Sequence, residues 1–235
     1  MKKKSGINVL FIYPNTFGMN MLPPAIAMFT AILKKAGHSV DIFDTTYYSV
    51  DHGIDSDGSK MEKLNVAPYS MEEKGIRLST NDWKKDLHEK VNKFKPDLIG
   101  ISSTEDMWEL AVKVLTEIKD YKIKNKVPVI AGGVFPTFAP DLCLKEELVD
   151  IACVGEGENA LLDICKRIKN NENYDNITNC WVKTIGPEYL KNRNVIQKNP
   201  ISEPVDINEN PIIDISQFEE NRLYRPMAGK VYKMI

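Results

Sequence analysis

Through the first 170 residues, short apolar runs alternate with stretches whose apolar residues recur at three-four spacing. Asn8 to Tyr13 (NVLFIY) is a β-branched and aromatic run stopped by Pro14 and Asn15, and it predicts a strand. Pro23-Pro24 then opens a helix that carries Ile26, Phe29, Ile32 and Leu33 on one stripe, and Gly37 suits its C-terminal cap. Ser39 to Phe43 predicts a second strand. Asn81 or Asp82 caps a helix to about Phe94, with Trp83, Leu87 and Val91 facing inward. LIGIS, within 97–102, is a third strand, and Asp106 to Tyr121 a helix on Leu110, Val114, Leu115 and Ile118. Val127 to Ala131 and Ile151 to Val154 complete the strands, separated by a short helix from Pro140 to Leu148 and followed by one from Glu158 to Lys169.

Alternation of this kind predicts an α/β fold with a five-stranded parallel sheet, of flavodoxin-like or Rossmann-like type and strand order 2-1-3-4-5. Two stretches break the rhythm. Residues 46 to 80 are polar and without period, long enough for a functional or mobile loop, and contain His52. After Asn170, NCWVKT and NVIQKN predict a small C-terminal hairpin. From Asn199 a proline-rich connector follows, expected to be mobile and to make few contacts, and it ends in a strand-like KVYKMI. The expected division is 1–170 for the binding domain and 171–235 for hairpin and connector.

The length of 235 residues fits one full domain with an appendage, or two small ones. Composition adds mainly exclusions. With 31 Lys and Arg against 33 Asp and Glu, a net charge of −2 gives no reason to expect nucleic acid as partner. The basic head precedes an apolar run too short for a signal peptide, and no membrane-spanning stretch follows, so the expected location is cytoplasmic. Cys143, Cys153, Cys165 and Cys180 lack metal-knuckle spacing and are expected to be buried free thiols.

In an open parallel sheet, ligands bind at the carboxyl ends of the strands. The residues there are Asn15 and Thr16 after the first strand, and Ser102, Ser103 and Thr104 after the third. Gly132, Gly133, Phe135, Pro136 and Thr137 follow the fourth, and Gly155, Glu156 and Gly157 the fifth. Small residues and hydroxyls dominate, and proton carriers are scarce. The edge therefore suits a cradle for a large ligand better than a catalytic centre, although tight turns and helix caps explain any one loop equally well. Gly155 to Ala160 spells G-x-G-x-x-A, but it follows the last strand and carries two glutamates, which argues against a dinucleotide. A receiver domain needs acidic residues where Tyr13-Pro14 and Ser102-Ser103 stand. A flavin phosphate on the loop after the first strand stays open.

YPNTFGMNMLPPAIAMFTAILKKAGHSVDIFDT, KPDLIGISS, VPVIAGGVFPTFAP and DIACVGEGENAL together resemble the cobalamin-binding domain at the N-terminus of many radical S-adenosylmethionine enzymes, over residues 7 to 170. The resemblance implies a cobalamin cofactor, with Ser102, Ser103 and Thr104 under its lower face. Gly132 and Gly133 would let its tail pass, and Pro136, Thr137, Gly155 and Glu156 would close the far side. It implies no catalytic residue and no metal ligand on this chain. It also implies a radical barrel holding a [4Fe-4S] cluster and S-adenosylmethionine, plausible in a methyltransferase, whose Cys-x3-Cys-x2-Cys motif this sequence does not contain. The Asp-x-His-x-x-Gly motif of histidine-ligated cobalamin is absent too: Asp86-Leu-His88 sits inside a predicted helix, and Phe135 replaces a frequent His. A cofactor-free docking module of the same fold and a flavodoxin-like flavin binder are the alternatives.

Overall fold

The structure is a computed structural model that describes residues 6–17, 21–50, 67–185 and 194–234. The middle of the polar loop with His52, and most of the link between the two strands after Asn170, lie outside the described residues.

Strands β1 (Asn8–Tyr13), β2 (Ser39–Asp44), β3 (Leu98–Ser102), β4 (Val129–Gly132) and β5 (Ile151–Cys153) are parallel and ordered 2-1-3-4-5. Helices α1 (Pro24–Lys35), α2 (Trp83–Phe94), α3 (Trp108–Glu117), α4 (Lys119–Asn125), α5 (Val134–Phe138), α6 (Pro140–Cys143) and α7 (Glu158–Asn170) make the connections. Asp82 caps α2 by accepting a hydrogen bond from Lys84 N at 2.9 Å. The helix expected over 106–121 is divided at Ile118, whose side chain turns into the core at 1% exposure.

Successive residues of a strand face opposite ways, and the sheet sorts its core accordingly. Leu10, Ile12, Ile99, Ile101 and Val129 pack under α2 and α3 against Leu87, Val91, Leu110 and Val114. Val9, Phe11, Leu98, Ile130 and Ile151 pack under α1 and α7 against Ile26, Leu33, Leu161 and Ile164.

The C-terminal hairpin joins this sheet. β6 (Cys180–Ile185) pairs antiparallel with β5 and β7 (Asn194–Lys198) with β6, so the backbone edge of β5 is covered. The terminal KVYKMI is also paired: β8 (Tyr224–Met227) and β9 (Lys230–Lys233) form a separate two-stranded ribbon. The expectation of a connector with few contacts is corrected here. Phe218 packs, partly buried, against the core cluster on the α1–α7 side, and Arg222 is only 2% exposed. Local periodicity is blind to such contacts because they are made one at a time, between segments far apart in sequence.

Candidate cofactor site

At the carboxyl ends of β3, β4 and β5, on the α1–α7 side, the core is incomplete. A cavity of about 340 Å³ opens there, floored by Phe11, Gly100, Ile130, Gly132 and Cys153 and walled by Ala25 and Phe29 of α1 and Leu161 of α7. Its mouth carries Ser102, Gly133, Thr137, Gly155, Glu156 and Gly157. Of the two strand glycines here, Gly132 leaves the floor bare, whereas the room at Gly100 is taken by the Phe11 ring. Glycine inside a strand forgoes packing, and it marks places where something approaches the backbone closely. A methyl at Gly132 would meet Cys153 Cβ at 3.7 Å, an ordinary contact, so the floor tolerates a small side chain but carries none. The Phe11 ring covers Gly100, stands 6.1 Å from the Phe29 ring and stacks on it at 28°.

Gly133 differs in kind from Gly132. Its φ of 97° and ψ of −166° belong to a region open essentially to glycine, and a Cβ there would lie 2.8 Å from Ser103 O. This turn starts α5 and brings Thr137 Oγ1 within 3.2 Å of Gly155 N, which donates to it. The loops after β4 and β5 are thereby tied across the mouth. Phe138, 84% exposed, stands on the rim.

Ser102, Gly132, Gly133, Thr137, Gly155, Glu156 and Gly157 thus meet around one opening. The remaining sequence candidates lie beside it. Ser103 is buried, with its hydroxyl donating to Thr104 O at 2.9 Å, and the Thr104 hydroxyl donates to Asp106. Phe135 turns away to the Trp108 ring, 4.9 Å between centroids, and Pro136 is buried. Asn15 N donates to Thr45 Oγ1, and Asn15 Nδ2 to Thr46 Oγ1, each at 2.8 Å. Asn15 and Thr16 are both buried; Asn15 fastens the loop after β1 to the end of β2, and the Thr16 hydroxyl has no hydrogen-bond partner among the described residues.

Sequence reasoning missed Gly100, Phe11, Phe29 and Ala25. Gly100 carried a usable signal, since it interrupts the apolar run LIGIS at its centre.

Cys153, Glu156 and Glu158 are the titratable groups that line the opening, and the two described histidines lie away from it. His38 Nδ1 accepts from Ile7 N at 3.2 Å, at the amino end of β2, and His88 pairs with Glu117 at 3.1 Å on the far helical layer. Cys153, the one thiol on the cavity floor, faces Cys180 across the β5–β6 pair. Hydrogen bonding with Cys153, and then burial, push the Cys180 thiol up. All four cysteines are free and buried. A larger polar hollow of about 770 Å³ lies at the amino edge among Lys95, Asp97, Lys126 and Asn171. Its rim includes C-terminal ends of α2, α4 and α7, and its lining is polar, so it lacks an apolar site for a ring. No helix among the described residues is long and apolar enough to cross a membrane.

Residues 61–164 match the B12 binding domain family. The chain is 25% identical over 158 residues to cytidylyl-2-hydroxyethylphosphonate methyltransferase of Streptomyces wedmorensis, covering 66% of this chain and 26% of that protein. It is 27% identical over 128 residues to an uncharacterized methyltransferase of Pyrococcus horikoshii, covering 54% and 26%. Among solved structures, it shares its fold with the radical S-adenosylmethionine methyltransferase TsrM of Kitasatospora setae, bound to cobalamin and a [4Fe-4S] cluster. The TM-score is 0.55 at 20% identity, over 76% of this chain and 29% of that one. It also shares the fold of the cobalamin-dependent S-adenosylmethionine radical enzyme OxsB with aqua-cobalamin and S-adenosylmethionine bound. There the TM-score is 0.62 at 17% identity, over 89% and 24%. The chain spans about a quarter of the length of these curated relatives. Its sheet and its incomplete core agree with the family match: over residues 61–164 the chain is similar to the B12 binding domain, and its fold is shared with these cobalamin-bound enzymes.

Proposed function

We propose that this chain is the cobalamin-holding region of a radical S-adenosylmethionine methyltransferase, with the iron–sulfur cluster and S-adenosylmethionine handled by a barrel outside these residues. The observation that carries the reading is the apolar cavity under α1 and α7, with the bare backbone of Gly132 on its floor. At about 340 Å³ it is near the small end of ligand pockets, roughly 300–1,000 Å³, so it takes part of a large cofactor and leaves the rest on the rim. Cobalamin has that form, a broad corrin ring with a nucleotide tail ending in a flat aromatic base. When bound, it supplies methyl-carrying chemistry that side chains lack.

The chain's own residues bind, orient and exclude water. Phe29, backed by the buried Phe11 ring, offers an aromatic surface to the base, and the bare backbone at Gly132 clears its path. Ser102 and Thr137 put hydroxyls at the mouth, where amide-bearing groups would lie. His38 and His88 stand away from this edge, so the lower face of the ring would rest on the Ser102–Thr104 loop without an imidazole from either.

Absorption titration of the purified chain with hydroxocobalamin tests the reading. Saturable binding with a shift of the cobalamin spectrum is expected, with no uptake of flavin mononucleotide. Absence of cobalamin binding in every redox state would remove the cofactor and favour the docking module.

A further inference from the structure

Both walls of the cavity are held from outside by a segment with almost no regular structure. It leaves β7 at Lys198 and is tied down first at Asn179, a buried residue in left-handed conformation at φ 65°. Asn179 N donates to Pro200 O at 2.9 Å, Ser202 N donates to Asn179 Oδ1 at 2.7 Å, and Asn179 Nδ2 donates to Glu156 O at 2.9 Å. Val205 N then donates to Glu156 Oε2 at 2.6 Å. The start of the segment is thereby bound to the loop that forms the α7 side of the mouth.

Its second tie is on α1. Asp214 N donates to Ala27 O at 3.0 Å, and the Asp214 carboxylate pairs with Lys34 at 2.8 Å. The third tie is Arg222, which pairs with Asp44 at 2.9 Å, donates to Met21 O at 2.7 Å and lies 5.6 Å from the centre of the Tyr13 ring. Next to it, the Tyr47 hydroxyl donates to Asn221 O at 2.8 Å.

We propose that residues 199–223 form a strap that holds α1 and the loop before α7 against the sheet and so sets the width of the cavity, with Arg222 as its buried anchor. A guanidinium is costly to bury and is retained only where several acceptors converge on it. Here those acceptors are the end of β2 and the carbonyl of Met21, just before Pro23-Pro24 starts α1. Arg222 does not line the cavity. It is a positioning residue: a shift of α1 carries Ala25 and Phe29 away from Phe11 and Gly100. Pro200, Pro204 and Pro211 stiffen the free strap and reduce the entropy lost when it docks.

Hydrogen exchange on the full chain tests this with two variants. One is Arg222→Met. The other carries a protease site inserted between Asn208 and Glu209, in an exposed turn, and is read before and after cleavage so that every native side chain is retained. After cleavage, α1 amides from Ala27 to Leu33 should exchange about tenfold faster while β3 and β4 keep their protection. Hydroxocobalamin should then bind about tenfold more weakly, as expected when a pre-organised site loosens. Unchanged α1 exchange after cleavage overturns the strap, even if Arg222→Met fails to fold. Faster exchange with unchanged affinity overturns its effect on cavity width. The proposal rests on the cobalamin reading only for the affinity: an intact chain that binds no cobalamin defeats that reading, while exchange without cofactor still judges the strap.

Discussion

At the β3–β4–β5 end of the carboxyl edge a side chain is missing: Gly132 leaves the floor open, and apolar walls surround the space. At the β1–β2 end the same edge is filled by the chain itself, with Arg222 seated beside Asp44, Tyr13 and Tyr47. Burial pushes the Tyr13 and Tyr47 hydroxyls up from their ordinary value. Both ends belong to one parallel sheet, and a ligand has reason to prefer one of them. A corner occupied by a paired guanidinium is closed to a ring. A dry slot beside bare backbone is open to one.

The largest effect that would sharpen this contrast is at the filled corner. Arg222→Met leaves the partly buried Asp44 without its cation and should cost about 3 kcal/mol by urea denaturation, the low end for a buried pair. A loss under 1 kcal/mol would mean that the corner is solvated in solution, and the contrast would fail. At the open end, Gly133→Ala should cost about 1–3 kcal/mol from backbone conformation alone, before the clash with Ser103 O is counted. Gly155→Ala is its control. Its φ of 89° is similarly unfavourable but nothing lies within 4 Å of the added carbon, so the cost should be clearly smaller than at Gly133.

The smallest effect is electrostatic. The hydrogen bond from Lys34, then that from Ser216, lowers the Asp214 carboxyl from its ordinary value to about 2. Because the folded value is depressed, the contribution is fully present above the ordinary value of 3.8 and is lost as pH falls toward 2. The pair is partly exposed, so the effect is modest and weakens with salt. Exchange of α1 in the native chain and in Asp214→Asn, compared across this interval, should converge at its acid end. A constant difference would dissociate Asp214 from the strap.

Much of the sheet was legible because a parallel strand buried on both faces must be an apolar run, and NVLFIY, LIGIS and VIAG are such runs. The loops at the mouth could be named from the rule that ligands sit at carboxyl ends. The floor could not, because Phe11 and Phe29 look like any other core aromatics in a periodic stripe. What separates them is the absence of a side chain at Gly100 on the neighbouring strand, a relation between elements far apart in sequence. Arg222 was hidden for a related reason. An arginine among prolines and acidic residues reads as solvent-facing, and its burial depends on Asp44 and Met21, far earlier in the chain.

The central claim is that the open floor at Gly132 admits part of cobalamin, and a size series at this position tests it most directly. Hydroxocobalamin affinity is measured by absorption for Gly132, Gly132→Ala and Gly132→Leu, with circular dichroism as the folding control. Alanine fits at ordinary contact distance from Cys153 Cβ and should bind nearly as the native chain does. Leucine fills the slot and should abolish binding with the sheet intact. Equal affinity for all three folded proteins would contradict the account, because the cofactor would then lie elsewhere.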